Sequence, residues 1–280
     1  MTRLKAEWIK HMPSGMDEYN LWLKRRAGID LSGLIMKAYG INEAELEAAR
    51  RTYKVGVVPI TQGEGIIGSF SDAVCAIVKS VGFEAAVSPG TDVDGIYRSM
   101  EAGAGILFMA DDMRYLALNT LSGRTGENDC STALGFIHIL RSMAEMRGVD
   151  IERGKILVIG YGRVGRCAAS ILKESKLKFD FYDKDSCRRS EIREDFKGEN
   201  VGIIESEADI KKYRLILDFT NEGGWLKREY LRNDAIYSSP GVPVSPDEDA
   251  LLALQNNAVY DNLEIGTAMM LAEAIFGTKK

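Results

Sequence analysis

Two stretches of this sequence space their glycines so that backbone N–H groups could approach a phosphate, each matching G-x-G-x-x-G: Gly63-Glu64-Gly65-Ile66-Ile67-Gly68 and Gly160-Tyr161-Gly162-Arg163-Val164-Gly165. In a dinucleotide loop the first glycine turns the chain off a strand, the second admits the pyrophosphate, and the third lets helix pack on strand. The helix dipole and its free N–H groups then face the anion. The second stretch meets these demands. Ile156-Leu157-Val158-Ile159 abuts Gly160 without a spacer, and a helical pattern follows Gly165. Asp183 comes after the next strand, about 20 residues beyond the loop, where an acid accepts hydrogen bonds from the adenosine ribose. Gly160, Gly162, Arg163, Val164, Gly165 and Asp183 are therefore expected to bind a cofactor. The acid favours NAD, because it would repel a 2′-phosphate, although Lys184, Arg188 and Arg189 nearby would soften that preference. Thr220, Pro240 and Gly241 follow later strands and are expected to face ribose or nicotinamide, with ordinary turn chemistry as the alternative.

The first stretch fails the same tests. Thr61 and Gln62 separate it from its strand, Glu64 would set a carboxylate where a pyrophosphate should lie, and no acid ends the next strand at Val87-Ser88-Pro89-Gly90. It reads either as a tight surface turn or as a wall of the substrate cleft, since open α/β sheets bind ligands beyond the carboxyl ends of their strands. Asp111 and Asp112 sit at such an end, after the strand Gly105–Ala110. With Glu64 on a neighbouring loop they would make a negative site for a cationic substrate; a helix cap or solvated turn is the alternative. Either acid could also take a proton if burial raised its pKa. His138 lies between Ile137 and Ile139 in an apolar helix and His11 precedes Met-Pro-Ser-Gly, so neither is expected to be the general base.

The elements that would position these residues alternate strand and helix after residue 50, the pattern of parallel α/β sheets. Short helices come first, with a break at Met12-Pro13-Ser14-Gly15 and a capping box at Asn42 and Glu45. The expected plan is α/β in two domains. Residues 1–150 form a helical segment and a small parallel α/β substrate domain, 151–265 form a Rossmann NAD-binding domain, and a C-terminal helix in 266–280 packs between the domains or back onto them. A net charge of -5 disfavours a nucleic-acid partner. No apolar run approaches the ~20 residues that span a bilayer, and the charged residues Arg3, Lys5, Glu7 and Lys10 are not followed by the apolar core of a signal peptide, so a cytoplasmic protein is expected. Cys75, Cys130, Cys167 and Cys187 show no metal-ligand spacing, which predicts no metal site and reduced thiols. The oligomeric state is left open, a homodimer being one option.

The chain resembles one family closely: the pyrroline-ring-forming dehydrogenases of pyrrolysine biosynthesis. The resemblance is carried by Val55-Gly56-Val57-Val58-Pro59-Ile60-Thr61, Gly65-Ile66-Ile67-Gly68-Ser69-Phe70-Ser71, Met109-Ala110-Asp111-Asp112, Gly160–Gly165, Ser239-Pro240-Gly241-Val242-Pro243 and Ile265-Gly266-Thr267-Ala268. It implies a small-molecule substrate, the isopeptide of lysine with 3-methylornithine joined through the lysine side-chain nitrogen. The terminal amine of the methylornithine part would be oxidised with NAD+, and the α-amine would then close the pyrroline ring with loss of ammonia. Glu64, Ser69, Asp111, Asp112 and Asn119 are the candidate substrate-binding residues, and Asp111 is the candidate catalytic residue. Whether Asp111 anchors the ammonium or takes its proton stays open. The alternatives are another NAD(P)-dependent amino-acid or imine dehydrogenase, a nucleotide-sensing regulator, and an S-adenosylmethionine-dependent methyltransferase.

Overall fold

A computed structural model of the chain describes residues 5–63 and 65–277. Four helices come first: α1 (Ala6–Ile9), α2 (Met12–Ala27), α3 (Leu31–Tyr39) and α4 (Glu43–Thr52). The expected break at residues 12–15 is instead the start of α2. Pro13 fits the first helical turn because the N–H it lacks would have no intrahelical partner there. The capping box of α4 is formed: Asn42 Oδ1 accepts from the Glu45 N–H at 3.0 Å, and Glu45 Oε2 accepts from the Asn42 N–H at 2.8 Å.

The alternation then begins with β1 (Lys54–Val58), α5 (Phe70–Ser80), β2 (Glu84–Val87), α6 (Asp92–Glu101) and β3 (Ala104–Ala110). A ribbon of β4 (Tyr115–Asn119) and β5 (Thr125–Glu127) completes a five-stranded sheet of order β2-β1-β3-β4-β5. β1 runs parallel to β2 and β3, as the sequence predicts, whereas β4 and β5 are antiparallel additions that it does not reveal. Along β4, Tyr115, Ala117 and Asn119 are buried while Leu116 and Leu118 are half-buried, so no polar face marks it as a strand. α7 (Asn128–Met146) leads into β6 (Lys155–Ile159), α8 (Arg163–Glu174), β7 (Lys178–Tyr182), α9 (Ser186–Asp195), β8 (Gly202–Ile203), β9 (Leu215–Asp218), β10 (Ile236–Ser239), α10 (Glu248–Leu254), β11 (Ala258–Tyr260) and α11 (Glu264–Phe276). The second sheet has the order β11-β10-β9-β6-β7-β8 and is parallel throughout. That is the doubly wound Rossmann order.

The chain divides into two compact units, one of residues 1–22, 29–135 and 262–280, the other of 23–28 and 136–261. The division falls within α7. Its part from Phe136 onward belongs with the second unit, where Arg147, just beyond the helix, donates to Arg26 O at 3.1 Å and Asn257 Oδ1 at 2.6 Å. In the first unit α11 packs on β4, β5, α3 and α5 and is buried on all sides. No helix among the described residues is long and apolar enough to cross a membrane. Cys75 and Cys187 are free thiols, but Cys130 and Cys167 are both disulfide-bonded. Sequence spacing, which predicted four reduced thiols, sees only near neighbours in the chain.

Candidate functional site

In the second unit the Gly160–Gly165 loop has the geometry a dinucleotide requires. Gly160 turns with φ +88°, and a Cβ there would meet Thr220 Cγ2 at 2.9 Å. A Cβ on Gly165 would lie 2.0 Å from Gly160 O, so only glycine lets α8 approach β6 this closely. A Cβ on Gly162 would meet nothing within 4 Å, which leaves open space where a phosphate would come. Arg163 and Val164 form the first turn of α8, whose N-cap, Gly162, supplies no side chain to cap it. An anion placed at this helix end would face the first-turn N–H groups. Asp183 lies just beyond β7, as expected, and its Oδ2 accepts from the Tyr161 N–H in the loop at 2.7 Å. The three nearby cations are each engaged by an acid: Lys184 by Glu222, Arg188 by Glu191 and Arg189 by Glu205.

The loops after β9 and β10 meet beside this turn. Asp218 is fully buried; its Oδ1 accepts from the Thr220 N–H at 2.9 Å and hydroxyl at 2.7 Å, and its Oδ2 from Tyr237 Oη at 2.9 Å. A Cβ on Gly241 would lie 2.8 Å from Thr220 O, and the Gly241 N–H donates to Ser239 Oγ at 2.9 Å. Thr220 thus braces both Gly160 and the Pro240-Gly241 turn.

In the first unit the loop after β1 and the β3–β4 hairpin leave adjacent parallel strands at their carboxyl ends. The chain turns from β1 to β2 on one side and returns to β3 on the other, the arrangement that opens a ligand crevice. Thr61 donates to the Asp92 carboxylate from its N–H at 2.8 Å and its hydroxyl at 2.6 Å. These bonds hold the Asp92 carboxyl below its usual range. Asp92 and Ser69, at φ +52° and +67°, both occupy left-handed backbone beside this loop, a strain that clusters at functional sites. The Asp112 carboxylate lies against Gly63, where a Cβ would be 2.1 Å from its Oδ2. Asp111 is exposed, and its Oδ1 accepts from the N–H groups of Met113 at 2.8 Å and Arg114 at 2.6 Å, closing the hairpin. Glu64 lies outside the described residues.

A further acid at this end escaped the sequence reading. Tyr115, next to the hairpin, shares a 2.8 Å hydrogen bond with Thr267 and an edge contact with the Phe70 ring at 5.3 Å. These contacts bring the N-termini of α11 and α5 to the hairpin. Gly266 faces the start of α7, where a Cβ would lie 2.7 Å from Thr132 Oγ1. Between them Glu264 is 5% exposed, and its Oε2 accepts from the N–H groups of Leu263 at 3.0 Å and Asn262 at 3.2 Å. Burial raises its pKa, opposed by these N–H groups and by the charge of His11. Its place directly before Ile265-Gly266-Thr267-Ala268 was the one sequence signal.

Asn119 does not join this cluster. It pairs with Ile106 near the start of β3, whereas Asp111 follows the end of that strand. Fully buried, it donates to Ala274 O at 3.0 Å and accepts from the Leu121 and Ser122 N–H groups. It anchors α11 and the β4–β5 turn. Ser69, Asp111 and Asp112 do share one end of the sheet.

A family model described as "Pyrrolysine biosynthesis protein PylD, N-terminal domain" matches residues 9–126. The chain is 31% identical over 245 residues to a pyrrolysine synthase of Methanosarcina barkeri, covering 87% of both chains. It is 27% identical over 272 residues to a pyrrolysine synthase of Methanosarcina acetivorans, covering 97% of this chain and 98% of the relative. Among solved structures, a shikimate 5-dehydrogenase of Thermus thermophilus in complex with NADP(H) and shikimate shares the fold. Its TM-score is 0.53 over 80% of this chain and 93% of that one, with 13% sequence identity.

Proposed function

The chain belongs to the pyrrolysine synthase family, and from that premise we propose that it is an NAD-dependent amine dehydrogenase. Its substrate is the isopeptide of lysine with 3-methylornithine: the terminal amine of the methylornithine part is oxidised, and the α-amine condenses with the new centre, releasing ammonia and closing the pyrroline ring. A bound nicotinamide nucleotide supplies the hydride acceptor. The residues that hold it are Gly160, Gly162, Arg163, Val164 and Gly165 at the pyrophosphate, Asp183 at the adenosine ribose, and Thr220, Pro240 and Gly241 toward the nicotinamide. The engagement of Lys184, Arg188 and Arg189 by acids supports NAD over NADP, since a 2′-phosphate would have to compete for them.

One observation carries the amine chemistry: a buried carboxylate, Glu264, shares one end of the sheet with the exposed acids Asp111 and Asp112. The two kinds of acid suit two tasks. Asp111 and Asp112 draw in and orient a substrate that carries several ammonium groups. An amine must shed a proton before hydride can leave its carbon, and an exposed anion that merely holds the cation works against that step. Glu264, whose pKa burial raises, is the acid suited to accept that proton. Holding the substrate folded raises the effective concentration of the α-amine at the new electrophile. The enzyme acts on a diffusible small molecule in the cytoplasm.

Incubation with the isopeptide and either NAD+ or NADP+, followed by nicotinamide absorbance, tests the reading. Reduction of NAD+ with the isopeptide is expected. Reduction of NAD+ by simple amino acids, or oxidation of NADH by imines, without turnover of the isopeptide would favour the other dehydrogenase reading instead.

A further inference from the structure

The second unit buries a carboxylate that the proposed reaction does not use. Asp218 ends β9, and in the doubly wound order β6–β8 take the adenosine half of a dinucleotide and β9–β11 the nicotinamide half. Its partners among the described residues are neutral: the N–H and hydroxyl of Thr220, the hydroxyl of Tyr237 and the hydroxyl of Ser245. Burial pushes its pKa up, and these donors oppose that by solvating the anion. The Thr220 N–H and hydroxyl and the Tyr237 hydroxyl bring three donors to the carboxyl oxygens, a set that suits a carboxylate, whereas a protonated acid would present a hydrogen to one of them. Thr220 Oγ1 also lies 2.7 Å from Ser245 Oγ, and Tyr237 and Ser245 are themselves fully buried. These contacts hold the carboxyl group rigidly, and Thr220 links it to the wall that braces Gly160 and Gly241.

We infer that Asp218 is a positioning residue for the nicotinamide half of the nucleotide, and that its unneutralised charge makes the site prefer the cationic, oxidised nicotinamide to the neutral, reduced one. The inference rests on the nicotinamide-nucleotide reading above. It would give the protein tighter binding of the oxidised nucleotide it consumes and easier release of the reduced one.

Calorimetric Kd values for NAD+, NADH and ADP-ribose separate the charge from the scaffold. Asp218→Asn keeps the side-chain volume and removes the charge. The ratio of NADH Kd to NAD+ Kd is expected to fall by about three- to tenfold, the scale of one partly screened charge at short range. Tyr237→Phe removes one donor to the anion and is expected to move the ratio the same way by less. ADP-ribose, which has no nicotinamide, should change least. Equal weakening of NAD+ and NADH in Asp218→Asn would mean a scaffold role only and overturns the inference. If that variant fails to fold, an unchanged ratio in Tyr237→Phe overturns it. Wild-type protein that binds neither nucleotide would defeat the nucleotide reading itself, whereas binding of both with unchanged ratios in the variants defeats this inference alone.

Discussion

The loops Gly63–Gly68 and Gly160–Gly165 spell the same pattern and fold to different ends. In the second, each glycine answers a separate demand: Gly160 turns at positive φ, Gly162 faces open space, and Gly165 is pressed on Gly160 O. In the first, Gly63 and Gly65 turn at positive φ, but Gly63 is covered by the Asp112 carboxylate. A Cβ on Gly68 would make only ordinary contact, 3.7 Å from Ala6 Cβ. The helix after that loop starts at Phe70 behind a strained Ser69, so its first turn is not delivered straight from a strand as that of α8 is. A phosphate loop is therefore defined by what each glycine touches rather than by the order of its letters.

Substitution at the third glycine should separate the loops most sharply. Gly165→Ala forces a methyl group into Gly160 O and is expected to weaken NAD+ binding about 100-fold or more, with a stability loss of about 2–3 kcal/mol. Gly68→Ala should leave NAD+ affinity within about threefold, since its methyl group meets only van der Waals contact. Nucleotide titration of the two variants checks the pair, and equal losses would erase the distinction.

The acids of the first unit give the next effect. Glu264→Gln is expected to lower kcat about 100-fold, the scale of losing a positioned general base, with NAD+ affinity unchanged. The raised pKa also sets a sign for stability. A group that binds its proton more tightly when folded stabilises fully below its unfolded pKa, and that contribution is lost as pH rises through the folded value. Wild-type protein should therefore lose stability relative to Glu264→Gln as pH rises from about 4.5, the ordinary value for a glutamate. Denaturant midpoints across pH read this out, and a constant difference would contradict it. A smaller effect is expected for Gly63→Ala, which strains a left-handed residue and displaces Asp112. KM for the isopeptide should rise about tenfold while NAD+ Kd holds, because the change touches only the proposed substrate side.

Much of this was legible in the sequence because its signals are local. The Rossmann strands are short apolar runs buried on both faces, and Asp183 follows its strand at the spacing the fingerprint demands. The capping box of α4 depends on two residues three apart. What escaped depends on contacts distant in sequence. Glu264 is one acid before an apolar helix until α11 docks on β4 and α5 and buries it. Asn119 reads as a polar residue available to a substrate until its amide is found spent on Ala274 O and on the turn that follows it. Sequence order places Asp112 about fifty residues from Gly63, and the pairing of β1 with β3 brings them together.

The central claim is that this chain oxidises the terminal amine of a lysine–methylornithine isopeptide and lets the product close on itself. Mass spectrometry of the isopeptide incubated with the protein and NAD+ tests it most directly. The expected product has lost ammonia and two further hydrogens, formed in step with one NADH. Intact isopeptide recovered from protein that binds NAD+ normally would contradict it.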